Sequence, residues 1–453
     1  MTILILVLLG LVGALCAAFA LPLARYIERH PEVLVAAVFL VYLYSATMTE
    51  GASLAVSLGG MNVFPLDLLC PLMLLFAFPF YYGKLKYGFS KQDIELLILL
   101  AWAMVLGWNF LAGCREFGLQ AATNGFRGYL YVICIAIYTA SLSVSDVWPK
   151  VEKLIFAAAA GLVLIALAGY SDGDLSRAGR PLSSNETMVL LEAFVVAAVA
   201  FAAGRLKPFY FMVSLSLLPM ILLLQHRSVW VVTACAIFGL YWTLPALRSL
   251  LLKILLIGGI VGTVAAFAFT GDAIFKALDE STEEAFSDES TMSWRYVGWL
   301  SLLTGEQMDS VKEVAIGNSF GSGWGRTFKG SDGRTIEIEN VKPHNYYIQT
   351  LLRGGVVGLG LLLVMYCRFL RLRRADMPAN PVYSSASKAL FVTALCQLVY
   401  YLPYDADTAQ AVFLGLAISA VRQSRMQWQA EVNRISAPEP SALHKGSTRL
   451  QTT

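Results

Sequence analysis

The residues best able to do chemistry are few, and they sit in one kind of place. Arg127, Arg180 and Arg227 each fall at the end of an apolar run, and His344 follows Pro343 where another run begins. A cation inside a bilayer costs roughly 2.5–3.5 kcal/mol even on lenient insertion scales, so arginines retained there need a reason. One reason is that each snorkels its guanidinium to the lipid headgroups. The other is an anion site. A guanidinium offers a planar, permanently charged fork that matches phosphate oxygens, and three of them at one membrane level suit a phosphate carried in the membrane. Pro343 suits the opening of a helix, which puts His344 at an N-terminus where free N–H groups and the dipole disfavour a protonated imidazole. A neutral histidine there can accept a proton; the alternative is a hydrogen-bonding residue at the interface.

The elements that position these residues follow from composition and hydropathy. With 57% apolar and 14% charged residues, a 453-residue chain has too little charge to solvate a globule. Its mean hydropathy is +0.63. The chain belongs in lipid, and a net charge of only +3 implies no polyanion-binding tail and no nucleic-acid partner. Apolar runs close to the length of about 20 residues that crosses a bilayer occur near 3–23, 33–47, 63–81, 92–112, 126–145, 153–170, 187–204, 209–224, 228–247, 249–270, 346–366, 386–402 and 409–421. The sequence therefore predicts an all-α polytopic membrane protein of about 12–13 transmembrane helices. No basic stretch precedes the first run, and Leu15 stands before Cys16 where a lipoprotein signal needs a small residue, so neither cleavage nor lipidation is expected.

Basic residues fix the orientation. Arg25 and Arg29, Lys84, Lys86 and Lys91, Lys150 and Lys153, Arg205 and Lys207, Arg248 and Lys253, and Arg368, Arg371, Arg373 and Arg374 occupy alternate connections, which are expected to face the cytoplasm. The opposite set includes one long segment, 271–345, expected to be periplasmic. Ser281 with Glu284, then Asp288 through Trp294, Arg295, Tyr296, Trp299, Leu300 and Leu303, predict a capped amphipathic helix lying on the membrane surface, with Arg295 held by its aromatic neighbours. Gly317, Gly321, Gly323 and Gly325 read as a flexible turn over the site, because no strand-turn-helix unit surrounds them to make a nucleotide loop. Two Asp-x-Asp pairs, Asp172 with Asp174 and Asp405 with Asp407, compete as metal ligands but read as turn formers. Glu192 and Arg353 read as pairing with polar neighbours inside the membrane. Six of the seven cysteines lie in or at the ends of apolar runs and Cys114 near the outer surface, so no disulfide framework is expected. The chain from about 423 onward reads as a mobile cytoplasmic end.

Taken together, Gln225-His226-Arg227-Ser228, the Trp294-Arg295-Tyr296 helix, the Gly317-to-Gly325 turn, and His344-Asn345 followed by Arg353-Gly354-Gly355 and Gly358 resemble the O-antigen ligase and O-antigen polymerase superfamily. The likeness spans about 215–370, with Arg180 and Asn185 adding weaker support upstream. It implies a glycosyltransferase of the GT-C class that uses an undecaprenyl-diphosphate-linked glycan as donor, at the outer face of a bacterial inner membrane, without metal or other cofactor. By matching position, Arg227 and Arg295, and less closely Arg180, would bind the donor pyrophosphate, and His344 would orient or deprotonate the acceptor hydroxyl. The acceptor would be another lipid-linked glycan, making a polymerase, or a lipid A core or protein, making a ligase. The implied division is 1–210 as N-terminal transmembrane helices, 211–370 as the catalytic region with loop 271–345, 371–422 as C-terminal transmembrane helices and 423–453 as a cytoplasmic tail. A polysaccharide or lipid transporter is the competing class, marked by repeat halves, broken helices and mid-membrane ionisable groups, few of which the sequence carries.

Overall fold

The structure is a computed structural model that describes residues 22–47, 55–58, 61–171, 180–253, 256, 291–304, 308–324, 326–329, 335–338, 343–374 and 380–436. Helices α1 (Pro22–Arg29) and α2 (Glu32–Thr47) meet at 94° across His30 and Pro31, where the proline has no N–H to continue the ladder. A short antiparallel hairpin, β1 (Val56–Leu58) and β2 (Met61–Val63), leads into α3 (Pro65–Tyr87). There follow α4 (Ile94–Glu116), α5 (Leu119–Ser141), α6 (Val144–Gly169) and α7 (Ser184–Ala202). Beyond them come α8 (Pro208–Leu215), α9 (Leu217–Leu223), α10 (Arg227–Thr243) and, after a 113° bend, α11 (Pro245–Lys253). Between that point and the C-terminal helices lie α12 (Thr291–Thr304), α13 (Val311–Ile316) and a second hairpin of β3 (Arg326–Lys329) and β4 (Thr335–Ile338). The chain closes with α14 (Tyr346–Phe369), α15 (Pro381–Tyr400) and α16 (Thr408–Ser436).

The protein is an all-helical, multi-pass membrane protein. Among the described residues six helices are long and apolar enough to cross a bilayer, or up to eight if each bent pair is one span. Of the expected spans, 3–23 and 249–270 fall mostly outside the described residues. Segment 126–145 takes in most of α5 and the first residues of α6, and 409–421 lies within α16; α5 and α16 are too polar to count as spans on composition alone, and 209–224 is broken at Ser216 into α8 and α9. Helix α7 is the innermost: Thr187 through Ala200 are buried without interruption, as expected of a helix that is apolar all round. Helix α16 packs along α5, α14 along α4, and α10 along α15.

One end of the bundle gathers the basic connections and neutralises them. Lys84 pairs with Asp93 at 2.8 Å, Lys150 with Glu32 at 2.7 Å and Arg205 with Glu152 at 2.7 Å. Buried Glu95 takes both Arg368 and, at 2.6 Å, Arg425. Arg425 lies in the segment expected to be a mobile tail. That expectation fails for 423–436, which continues α16 and docks on the start of α4 through Glu95 and through Gln92, whose amide donates to Gln429 at 2.9 Å. The physical reason is charge: Arg425 supplies a cation that a buried carboxylate requires. Residues 437–453 lie outside the described residues.

Candidate functional site

At the opposite end, four helix starts and one turn come together. Ser183 caps α7: its hydroxyl accepts from Asn185 N–H, while Glu186 accepts from Ser183 N–H at 2.7 Å. Just before this cap, Arg180 meets His226 Nδ1 at 3.0 Å, and His226 Nε2 meets the Leu182 carbonyl at 2.9 Å. A carbonyl only accepts, so Nε2 carries the proton and Nδ1 presents its lone pair to the guanidinium. His226 is also the residue preceding Arg227, the first residue of α10, and Gln225 before it adopts a left-handed backbone with φ 53°. One imidazole thus ties Arg180 to the base of the helix that Arg227 opens.

The second half of the cluster hangs on the turn between α15 and α16. Arg295 of α12 donates to the Pro403 carbonyl at 3.3 Å and lies 5.6 Å from the centre of the Tyr404 ring. Tyr404 stacks on Tyr400 at 4.9 Å, and the Tyr400 hydroxyl donates to Asn185 at the start of α7. One helical turn beyond Arg295, Trp299 donates its indole N–H to the Pro343 carbonyl at 2.6 Å. His344 follows, exposed and left-handed at φ 48°, a conformation that histidine tolerates better than most residues yet that still costs about 1–3 kcal/mol. Asn345 then caps α14 by accepting from Ile348 N–H at 3.0 Å, and Tyr346 N–H donates to Tyr401 at 2.9 Å. A continuous chain of contacts therefore runs from Arg180 and His226 through Asn185, Tyr400 and Tyr404 to Arg295, Trp299 and the backbone of His344.

Against known proteins, the chain matches no protein-family model and no curated protein.

Several expectations change at this end. Arg127 does not join the cluster: its Nε lies 3.3 Å from Asp67, it donates to the Asn62 carbonyl at 2.8 Å and its guanidinium covers the Phe64 ring. It braces α5 against α3 and the first hairpin. His344 stands at the N-terminus of α14, one residue before its cap, because Asn345 has the short acceptor side chain a cap needs. Arg295 finds its aromatic partner in Tyr404, from another element; Ser281 and Glu284 lie outside the described residues, as does the Trp294 side chain. Within the Gly-rich segment, Gly317 and Gly321 pack tightly against backbone of other elements, and Gly325 lies outside the described residues. Gly317, at φ 84°, lies so close to Arg353 and Gly354 that a Cβ would strike their backbone, and Gly355, at φ 63°, breaks α14 where Ala315 presses on it. Asn318 N–H donates to the Leu352 carbonyl at 2.8 Å, and Asn109 of α4 donates to the Arg353 carbonyl at 2.8 Å.

Arg353 itself is buried within this knot, donating to Ser322 Oγ at 2.7 Å and to the Ser322 carbonyl at 2.6 Å while stacking on Trp324 at 4.1 Å. The Asp405–Asp407 pair splits. Asp407 accepts from Gln410 N–H at 2.9 Å and from the Tyr42 hydroxyl at 3.2 Å, whereas Asp405 lines a cavity of about 550 Å³ on the far side of Tyr346. Asp172 and Asp174 lie outside the described residues. Sequence reasoning missed His226 and Tyr404 as positioning groups. The signal for His226 was present, since it is one of four histidines and adjoins Arg227; nothing local marks Tyr404, which is brought in by the turn after α15.

Proposed function

We propose that this protein transfers a glycan from an undecaprenyl-diphosphate carrier to an acceptor sugar at the outer face of a bacterial inner membrane. The observation that carries the reading is the arginine–histidine cluster: Arg180 on His226, the residue that precedes Arg227 at the start of α10, and Arg295 on Tyr404, linked through Tyr400 and Asn185 to the start of α7 and through Trp299 to the loop that presents His344. An acceptor hydroxyl oxygen attacks the anomeric carbon, the bond from that carbon to the diphosphate oxygen breaks, and the electron pair leaves with the diphosphate. Negative charge grows on the leaving oxygen, where fixed guanidinium groups are worth roughly 3–4 kcal/mol each in transition-state stabilisation. His344 takes the hydroxyl proton, consistent with its exposure and its place outside the helix cap. Arg353 belongs to the scaffold.

A transporter is favoured by one observation: Glu192 is 1% exposed in the middle of α7, and its only described hydrogen bond is to Gln397 at 3.4 Å. Reconstituted protein supplied with undecaprenyl-diphosphate-linked repeat units separates the two. Glycan extension with release of undecaprenyl diphosphate, in the presence of EDTA, is the expected result. Movement of intact lipid-linked glycan between leaflets with no new glycosidic bond would overturn it.

A further inference from the structure

The cavity of about 550 Å³ is built differently from the arginine cluster. Its wall is made by Asn124, Tyr129, Trp324, Tyr346, Gln349 and Asp405, with small residues of α5 and the glycine segment between them. Its volume lies within the range of about 300–1,000 Å³ typical of small-molecule sites. Asn124 and its neighbour Gly125 are exposed, so it opens to the surface. Three of its buried aromatic side chains carry hydrogen-bonding atoms with no protein partner, Tyr129 Oη, Trp324 Nε1 and Tyr346 Oη, although these residues are only 4%, 6% and 4% exposed. Buried donors of this kind cost about 1–3 kcal/mol each when left unmet. Tyr129 and Tyr346 stack at 5.7 Å, giving the wall a broad aromatic face. Among the described residues, Arg353 is the one cation in the lining, and it is held by Ser322 and Trp324.

That set of groups selects against anions and for a polyhydroxylated ring. Aromatic faces cover the C–H side of a sugar, while the Asn124 and Gln349 amides, the Asp405 carboxylate and the three unmet aromatic donors match hydroxyls. Among the described residues of the lining, no cation is left unengaged for a phosphate. We infer that this cavity is a saccharide subsite, holding the acceptor end of the glycan, an assignment that rests on the proposed transfer activity. The turn between α15 and α16 is the wall between the two regions: Tyr404 packs under Arg295 on one side, and Asp405 faces the cavity on the other. His344 stands two residues before Tyr346, at the junction, where an acceptor hydroxyl leaving the cavity would meet the diphosphate-bound donor.

The test uses the full chain in lipid nanodiscs. The probe is the set of lipid-free oligosaccharides released by mild acid from the surface polysaccharide of the strain that encodes the protein, with binding followed by saturation-transfer NMR. The double variant Gln349→Ala/Asn124→Ala should weaken oligosaccharide binding by about tenfold or more while leaving undecaprenyl-diphosphate binding at the parent level. Trp324→Phe, which keeps a ring and removes the N–H, should weaken it by a smaller factor. Arg295→Ala should do the reverse, losing the lipid diphosphate and keeping the oligosaccharide. Parent protein that binds no oligosaccharide, or a double variant that binds it unchanged, overturns the assignment. Glycan transfer is scored separately, so a protein that extends glycan but binds sugar elsewhere refutes only the subsite, and one that binds sugar here but never forms a glycosidic bond refutes only the transferase.

Discussion

The two ends of this bundle treat buried and half-buried charge in opposite ways. At the end that gathers the basic connections, cations meet carboxylates: Lys84 with Asp93, Arg205 with Glu152, and Arg368 and Arg425 together on Glu95. At the other end, Arg295 meets a carbonyl and a tyrosine ring, and Arg180 meets the His226 imidazole among its contacts. Asp407, also at that end, is met by a hydroxyl and a backbone N–H. Among the described ion pairs, Arg127 with Asp67 is found at this end too, and it serves to fasten α5 to α3. Paired charges lock structure. A cation held by a carbonyl and a ring, as Arg295 is, keeps more of its field for a ligand, and a diphosphate is the kind of group that would use it.

The comparison depends first on which end faces outward. A reporter active only outside the cytoplasm is expected to work when fused within 305–335 and to fail within 368–385, an all-or-none contrast. The opposite pattern would place the arginine cluster inside the cell, where an outer-leaflet donor is absent.

The next largest effects separate the residues within the cluster. His344→Ala should lower transfer by about 10²–10⁴-fold if the imidazole takes the proton, while leaving lipid-diphosphate binding intact. Arg227→Ala and Arg295→Ala should each lower it by about 10²–10³-fold and weaken donor binding as well. Lysine in place of Arg227 should recover only part of the loss, since it keeps the charge but not the fork. Folded His344→Ala protein that transfers at the parent rate would leave the arginines as the whole of the chemistry.

How much of this was legible in the sequence varies with the range of the contact. The helical, membrane-embedded class followed from composition, and the basic end followed from the spacing of Lys and Arg. Arg227 and His344 were visible as polar residues at the edges of apolar runs. The packing of the glycine segment was missed because its purpose is non-local: Gly317 and Gly355 are small so that two pieces of backbone can touch, and nothing within either local sequence shows the other. Arg127 looked equivalent to Arg180 for the same reason, since its partner Asp67 lies in another helix. The tail from 423 looked polar and terminal, yet Arg425 is required by Glu95 far upstream.

At the paired end, the expected loss is in stability and not in chemistry. Glu95→Gln removes a carboxylate that is 1% exposed at its side chain and serves two arginines that are each about one-fifth exposed. Breaking a buried pair costs about 3–5 kcal/mol. The partly exposed guanidinium groups can turn toward water, which puts this case near the lower end. Thermal unfolding in detergent should show the drop, and transfer per folded molecule should match the parent. A variant that unfolds like the parent but has lost transfer would mean that the basic end is coupled to the site.

The smallest effect tests the neutral end through its buried acid. Burial pushes the Asp407 carboxyl up from its ordinary 3.8 to about 7, with Glu186 adding to the rise and the hydrogen bonds from Gln410 and Tyr42 opposing it. Because the folded state holds this proton more tightly than the unfolded chain does, the protonated form contributes stability. That contribution is complete below the unfolded value near 3.8, declines as pH climbs between the two values, and is gone once the folded value near 7 has been passed. Asp407→Asn keeps a side chain able to cap α16 and cannot ionise. The thermal midpoint of the parent should therefore fall relative to that of Asp407→Asn as pH is raised through this window, and the gap should stop growing above about pH 7. Equal midpoints across the whole window would mean that Asp407 ionises as freely in the fold as in the unfolded chain, and the contrast between the two ends would then rest on the arginines alone.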